Sequence, residues 1–349
     1  METRTKKTRH PGRIALIALF SVILLVCIIL ELGRLWFRLP VKDSYAASEI
    51  AFAIPGLSDG FVPQGLDLDE EDGVFLIGGY MKRSGQASPV YAVDRKTGEV
   101  KARALLAEPD GSAFTGHAGG LAVSGDNVLV AGDSCVYIFD REAILAAGDG
   151  GAVQCLGKLP VRLDEDDPLG VAFVDVTADE EGDLLTVGEF YRNPNYPTAD
   201  THKFTASSGE FLQALAVTYR VSEDGGTLAP LRAYALPDQV QGIAFYDGRI
   251  WLSTSWGVSS SHILAWDMQA LTPFGTISVE GQEVPLFALD SASRAAEWKL
   301  PPMSEEIVFS DGKLYTMCES ASRKYYFGLL TGAKWCYATD LTQLAEVGQ

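Results

Sequence analysis

Histidine is scarce in this 349-residue chain, and the four that occur, His10, His117, His202 and His262, are too dispersed for a histidine-rich metal site. None of them begins a His-Glu-x-x-His frame. The five cysteines include no Cys-x-x-Cys pair, so the spacing of a zinc ribbon is missing too. There is no P-loop and no glycine fingerprint between a strand and a helix. Those absences remove the nucleotide-hydrolysing and dinucleotide-dependent readings. Positive charge is short as well, at 28 Lys and Arg against 46 Asp and Glu, a net of −18. Residues 1–42 hold eight bases against Glu2 and Glu31, a net of +6, which leaves −24 on the rest. A body that acidic disfavours nucleic acid and anionic membrane surfaces. It is compatible with calcium or with cationic partners.

Only one hydrophobic run is long. Residues 14–32 are apolar except for Ser21 and Glu31, about the 20 residues that a bilayer core requires. Arg4, Lys6, Lys7, Arg9 and Arg13 precede the run, so the positive-inside rule predicts a basic cytoplasmic tail over 1–13, a transmembrane helix over 14–32 and an extracytoplasmic body. The expected location is the plasma membrane, spanned once, with residues 33–48 as a stalk. A cleaved signal peptide is the competing reading, but the small residues that would suit cleavage, Ala46 to Ser48, lie about 14 residues beyond the run.

From residue 49 onward the chain echoes itself five times. An apolar strand, a tight turn and a second apolar strand recur from Pro63, His117, Val174, Val240 and Ser304. Asp-Gly pairs at 72–73, 247–248 and 311–312 suit the hairpins. A third apolar run follows each pair, ending at Asp94, Asp140, Ser222, Asp267 and Asp340. An outer fourth strand is expected at 99–106, 152–159, 229–236 and 274–279, and the fifth copy lacks one. Residues 49–54 alternate as a strand and have no blade of their own, so they are expected to pair beside the last blade and close the ring. The fold class is all-β: a five-bladed β-propeller over 49–349, preceded by one transmembrane helix. The inserts at 190–216 and 281–300 are the only material for a sixth blade.

Four cysteines lie in the propeller. On antiparallel neighbours Cys135 falls near Cys155 and Cys318 near Cys336, which predicts two disulfides in an oxidising compartment, with buried free thiols as the alternative.

Polar residues mark one face. In a blade the start of strand one and the end of strand two lie together, and these positions are Gln64, Gly119, Asp175, Gln241 and Glu305, then Gly79, Asp133, Glu189, Ser255 and Glu319. His117 stands two residues before Gly119. The intervening residues are almost wholly apolar, as strands packed on both faces should be. The links between strands two and three are long, and on a rigid ring long loops carry binding. They hold Lys82, Arg83, Arg192, Lys203, Arg323 and Lys324, interleaved with Tyr80, Tyr191, Tyr196, Trp256, Tyr325 and Tyr326. The candidate ligand-binding set is therefore Gln64, His117, Asp133, Asp175, Glu189, Arg192, Gln241, Glu305, Glu319 and Arg323. The plain alternative is that these residues fasten blades and cap turns.

The blocks PQGL at Pro63, GHAGGLAV at Gly116, VGEF at Val187, VQGIAF at Val240 and PPMSEEIVF at Pro301 resemble a group of secreted or membrane-anchored bacterial β-propeller-like proteins, in which similar blocks run in the same order. The resemblance covers about 60–340. Met303 and Ser304 depart from it by separating Pro302 from Glu305. It implies the propeller fold and weight on Gln64, His117, Glu189, Gln241 and Glu305, and it names no reaction. The expected function is a membrane-anchored propeller that binds a glycan, peptide or phosphorylated ligand on the loop-bearing face. A carboxylate-dependent hydrolase of glycosidase type and a calcium-bound scaffold are the alternatives.

Overall fold

The computed structural model describes residues 11–222 and 227–347, so most of the expected basic tail lies outside the described residues. Five antiparallel sheets form the ring. Each of the three Asp-Gly turns carries glycine at positive φ, and Asp247 and Asp311 share that conformation, as two-residue hairpin turns require. Blade one is Phe61–Asp69, Val74–Met81, Pro89–Asp94 and Val100–Ala107. Blade two begins with Leu121–Ser124, Asn127–Gly132 and Cys135–Asp140; blade three with Phe173–Asp179, Gly182–Gly188, Ala214–Val221 and Leu228–Leu236. Blade four begins with Val240–Tyr246, Arg249–Thr254 and Ser261–Asp267. Blade five is Ser304–Ser310, Lys313–Cys318 and Trp335–Thr339, completed by Ser48–Ala53. That last strand runs antiparallel to Trp335–Thr339 with Phe52 opposite Cys336, closing the ring as the alternation over 49–54 predicted. The five large hydrophobic clusters lie one at each blade-to-blade interface. That is why both faces of the inner strands are apolar.

Two outer strands differ from the sequence reading. Residues 152–154 belong to Asp149–Gln154, a fifth strand that pairs parallel to Val100–Ala107 at the edge of blade one, and blade two's own fourth strand is Gly157–Pro160. A short helix, Arg141–Ala146, makes this crossover possible; its first turn is capped by Asp140, which accepts from Ala143 N at 2.6 Å. Likewise Gly275–Val279 forms a hairpin with Gln282–Ala288, which lies parallel to Leu228–Leu236 and widens blade three to six strands. Glu280 and Gly281, both at positive φ, make its turn. Blade four is finished instead by Ala296–Leu300, from the second insert. Alternation of apolar residues shows that a segment is a strand; it does not show which edge the strand joins.

The expected disulfides are also corrected. All five cysteines are free. Cys135 pairs across to Pro160, while Cys155 lies beyond the edge strand of blade one and donates to Gly157 O at 3.0 Å. In blade five the register sets Thr316 opposite Tyr337, so Cys318 and Cys336 are out of step by one residue and a regular pleat sends them to opposite faces.

Ahead of the ring stands one helix, Pro11–Arg38, whose apolar side chains are exposed along its length. By length and composition it is able to cross a membrane. Helical turns Leu39–Val41 and Lys42–Ala46 carry the chain from it down the side of blade five. There Tyr45 donates to Thr331 O and packs edge-on against Tyr337 at 5.4 Å.

Candidate functional site

At the centre of the ring lies a residue that the sequence reading passed over. Glu306 on the inner strand of blade five is 1% exposed, and its carboxylate accepts from Leu66 N at 2.7 Å, Leu121 N at 2.8 Å and Val174 N at 3.4 Å. One side chain thus joins four blades. Burial raises its pKa and the three amide donors oppose that rise. Space for it comes from glycine. A Cβ on Gly120 would stand 2.7 Å from Glu306 Oε1, and one on Gly242 would stand 2.7 Å from Glu306 Cα. The signal was present in the sequence as Gly65, Gly120 and Gly242 opposite an acid in the fifth copy.

These bonds also correct the repeat alignment. Leu66, Leu121 and Val174 occupy equivalent places, so Gln64 stands two residues before that level and Asp175 one residue after it. Asp175 belongs with Asp67, deeper in the channel, rather than with Gln64. Asp67 accepts from Leu68 N and Val123 N, both at 2.7 Å, and burial pushes its pKa up to about 7. Asp175 is likewise raised well above the usual carboxylate range, by burial and then by the charge of Asp67, and its Oδ2 has no hydrogen-bond partner among the described residues.

Above Glu306, at the channel mouth, Glu305 and Glu319 form a buried pair. Glu305 is 1% exposed, and its Oε1 has no partner among the described residues. Glu319 is held on both oxygens, by Tyr325 OH at 2.7 Å and by Gln64 Nε2 at 3.2 Å. Burial, then the charge of Glu319, lifts Glu305 well above the usual range, with Lys324 opposing. Glu319 is raised by burial, against its hydrogen bond from Tyr325 and the charge of Lys324. Burial of both carboxyls, and the charge each would place beside the other, disfavour their joint ionisation. Lys324 donates to Tyr80 OH and lies 5.1 Å from the ring of Tyr325. Tyr80 in turn meets His117 edge-on at 4.5 Å. His117 keeps one edge in solvent; partial burial and the charge of Lys324 lower its pKa.

The remaining candidates lie elsewhere on the face. Gln241 donates to Ser255 Oγ at 3.3 Å, and the adjacent Trp256 carries the Arg192 guanidinium 4.1 Å above its ring. Phe190 and Tyr196 complete an aromatic group with Trp256, at centroid distances of 5.3 to 6.0 Å. Tyr196 stands near enough to Tyr80 to raise its pKa, so the insert of blade three reaches toward the mouth. Glu189 is buried and fully engaged, with His202 Nδ1 at 2.9 Å and both Gly170 N and Leu215 N at 3.2 Å. His202 completes the bridge through Nε2 to Asp167 at 3.1 Å. Asp133 is exposed at positive φ, and its carbonyl accepts from Val171 N at 2.7 Å. Arg323 is exposed, with its carbonyl accepting from Lys82 Nζ at 3.1 Å. Among the described residues no group of three or more His, Cys, Asp or Glu side chains is disposed to hold a metal ion.

No family model and no curated protein matches the chain. Among solved structures, a GH43_1 enzyme from Xanthomonas citri complexed with xylose is 12% identical, with 87% of this chain and 91% of that one covered and a TM-score of 0.42. A nidogen/laminin complex is 10% identical over 74% of this chain and 73% of that one, with a TM-score of 0.36. A 6-phosphogluconolactonase-like protein from Bacteroides fragilis is 13% identical over 73% and 77%, with a TM-score of 0.36. Scores of this size leave the chemistry to the residues of this chain.

Proposed function

We propose that this protein is a membrane-anchored, extracytoplasmic propeller that binds a glycan at the channel mouth. The observation that carries the reading is the unpartnered Glu305 Oε1, buried beside Glu319. A buried polar atom without a partner costs about 1–3 kcal/mol, and a ligand hydroxyl would relieve that cost. The lip supplies aromatic faces, Tyr80, Tyr196 and Trp256, of the kind on which sugar rings stack. A phosphorylated ligand suits the mouth less well, because two carboxyls there face one Lys324. The test is calorimetric titration of the full chain in detergent micelles with a panel of oligosaccharides. Saturable binding that weakens about tenfold or more in Glu305→Gln supports the reading. Binding unchanged by that substitution overturns it.

A second reading, a carboxylate-dependent glycosidase, is favoured by the same pair, since burial that disfavours ionisation suits a carboxyl to act as a general acid. Release of reducing sugar that disappears in Glu319→Gln would support it.

A further inference from the structure

Where the chain leaves its apolar run it meets blade five at the mouth. A helix rises about 1.5 Å per residue, so residues 14–32 span about 28 Å, close to the hydrocarbon thickness of a bilayer. Arg34 and Arg38 then stand about 3 and 9 Å beyond that run, at headgroup level. At this level the helix docks on the blade-five loop. Phe37 stacks on Phe327 at 5.4 Å, and Arg38 Nε donates to Leu330 O at 3.1 Å. Gly33 lets the loop approach closely, since a Cβ there would stand 2.9 Å from Leu330 Cδ1.

Between helix and loop is a cavity of about 710 Å³. Arg34, Arg38 and Lys334 line it together with Tyr45, Trp335 and Tyr337, and none of its described lining residues is acidic. Three bases on one lining are unusual in a body with a net charge of −24 beyond residue 42, and of the three Arg34 is also paired with Glu31. Lys334 is braced 4.7 Å over the ring of Trp335, and Arg38 is braced by the Leu330 carbonyl. Leu329 on the lining is 86% exposed, and elsewhere on the same two segments Trp36 is 72% exposed and Tyr326 97%. Aromatic and apolar side chains bared at the end of a span are what a membrane interface stabilises.

We propose that this cavity binds the phosphate headgroup of an anionic phospholipid in the leaflet from which the propeller projects. It rests on the anchor part of the reading above. Guanidinium groups pair with phosphate in bidentate geometry, and the bared Leu329 on the lining, at the end of the apolar run, sets the cavity's opening among lipids rather than in bulk water. The acidic body as a whole repels an anionic surface, so attraction is confined to this collar. The bound lipid also reaches the mouth through one loop. Phe327, stacked on the anchor, lies 5.7 Å from Tyr325, whose hydroxyl donates to Glu319 at 2.7 Å. The headgroup therefore seats the segment that shapes the carboxyl pair, and the glycan site opens beside the membrane, suited to a membrane-borne glycan.

The test is native mass spectrometry of the full chain released from nanodiscs that contain equal phosphatidylcholine and phosphatidylglycerol. The wild type is expected to retain phosphatidylglycerol about tenfold over phosphatidylcholine, and Arg34→Gln/Arg38→Gln/Lys334→Gln to retain both equally. Equal retention by the wild type overturns the inference and needs no variant, so a misfolded triple variant would not protect it. Retention by a folded triple variant at the wild-type ratio overturns it too. Displacement of phosphatidylglycerol by an equal concentration of inorganic phosphate would assign the cavity to a soluble phosphate and overturn the lipid. A chain that never enters the nanodisc would instead overturn the anchor reading.

Discussion

Removal of the Glu306 carboxyl would leave the amides of Leu66, Leu121 and Val174 buried and without their acceptor. Each buried amide left unsatisfied costs about 1–3 kcal/mol, so Glu306→Ala is expected to lower the urea midpoint by at least that equivalent. Gly120→Ala should destabilise as well, by about 1–3 kcal/mol, because its Cβ would meet both Glu306 Oε1 and Val174 N. A midpoint within error of the wild type in both variants would show that the carboxylate does not fasten the ring. His202 acts at a second such joint. Burial disfavours its protonation, yet the hydrogen bonds and charges of Glu189 and Asp167 prevail and raise its pKa. A histidine raised on folding contributes stability that is fully present below its unfolded value of about 6.5 and is lost as pH rises through the folded value. The stability gap between wild type and His202→Gln, measured by urea denaturation, should therefore narrow from pH 6 upward. A gap that widens with pH would contradict the assignment.

Among the elements, the strand Ser48–Ala53 carries closure. Phe52 is buried and packs 5.1 Å from Phe75, so Phe52→Ala should cost about 3–5 kcal/mol and open the ring at the joint of blades five and one. Faster hydrogen exchange confined to Trp335–Thr339 and Phe61–Asp69 would report that opening; uniform exchange would argue against it. The pair Cys318 and Cys336 differs from the expectation because spacing along two strands fixes proximity only to within a residue, and one residue reverses the face; Cys155 differs because the strand before it joins blade one. All five thiols should titrate in denaturant without reductant, and reductant should leave the melting temperature unchanged. The five blade cores were legible from alternation and Asp-Gly turns. The strands Asp149–Gln154 and Gly275–Val279 were legible as strands and not as edges of neighbouring blades, because an edge accepts any strand that covers it.

At the scale of the whole molecule, the N-terminal helix and the mouth share the loop after Cys318. Phe37→Ala should loosen that loop, and tryptic cleavage after the exposed Arg323 or Lys324 should quicken several-fold in the full chain while the remaining blades stay protected. Cleavage at the wild-type rate would show that the helix does not seat the loop.

The sequence alone determined the all-β class, the five repeats, the closing strand and the polar face, because each follows from local period and turn chemistry that survive in one dimension. It also named Glu305, Glu319, Gln64 and His117, all of which lie at the mouth. Only the tertiary structure separated Glu305 from its neighbour Glu306, moved Asp175 to the level of Asp67, and turned Glu189 into a bridge with His202. The first two depend on which atoms of different blades meet at the centre, with the Glu306 bonds spanning 132 to 240 residues, and the third on an insert folding back over 13 residues; neither kind of bond leaves a periodic trace in the chain.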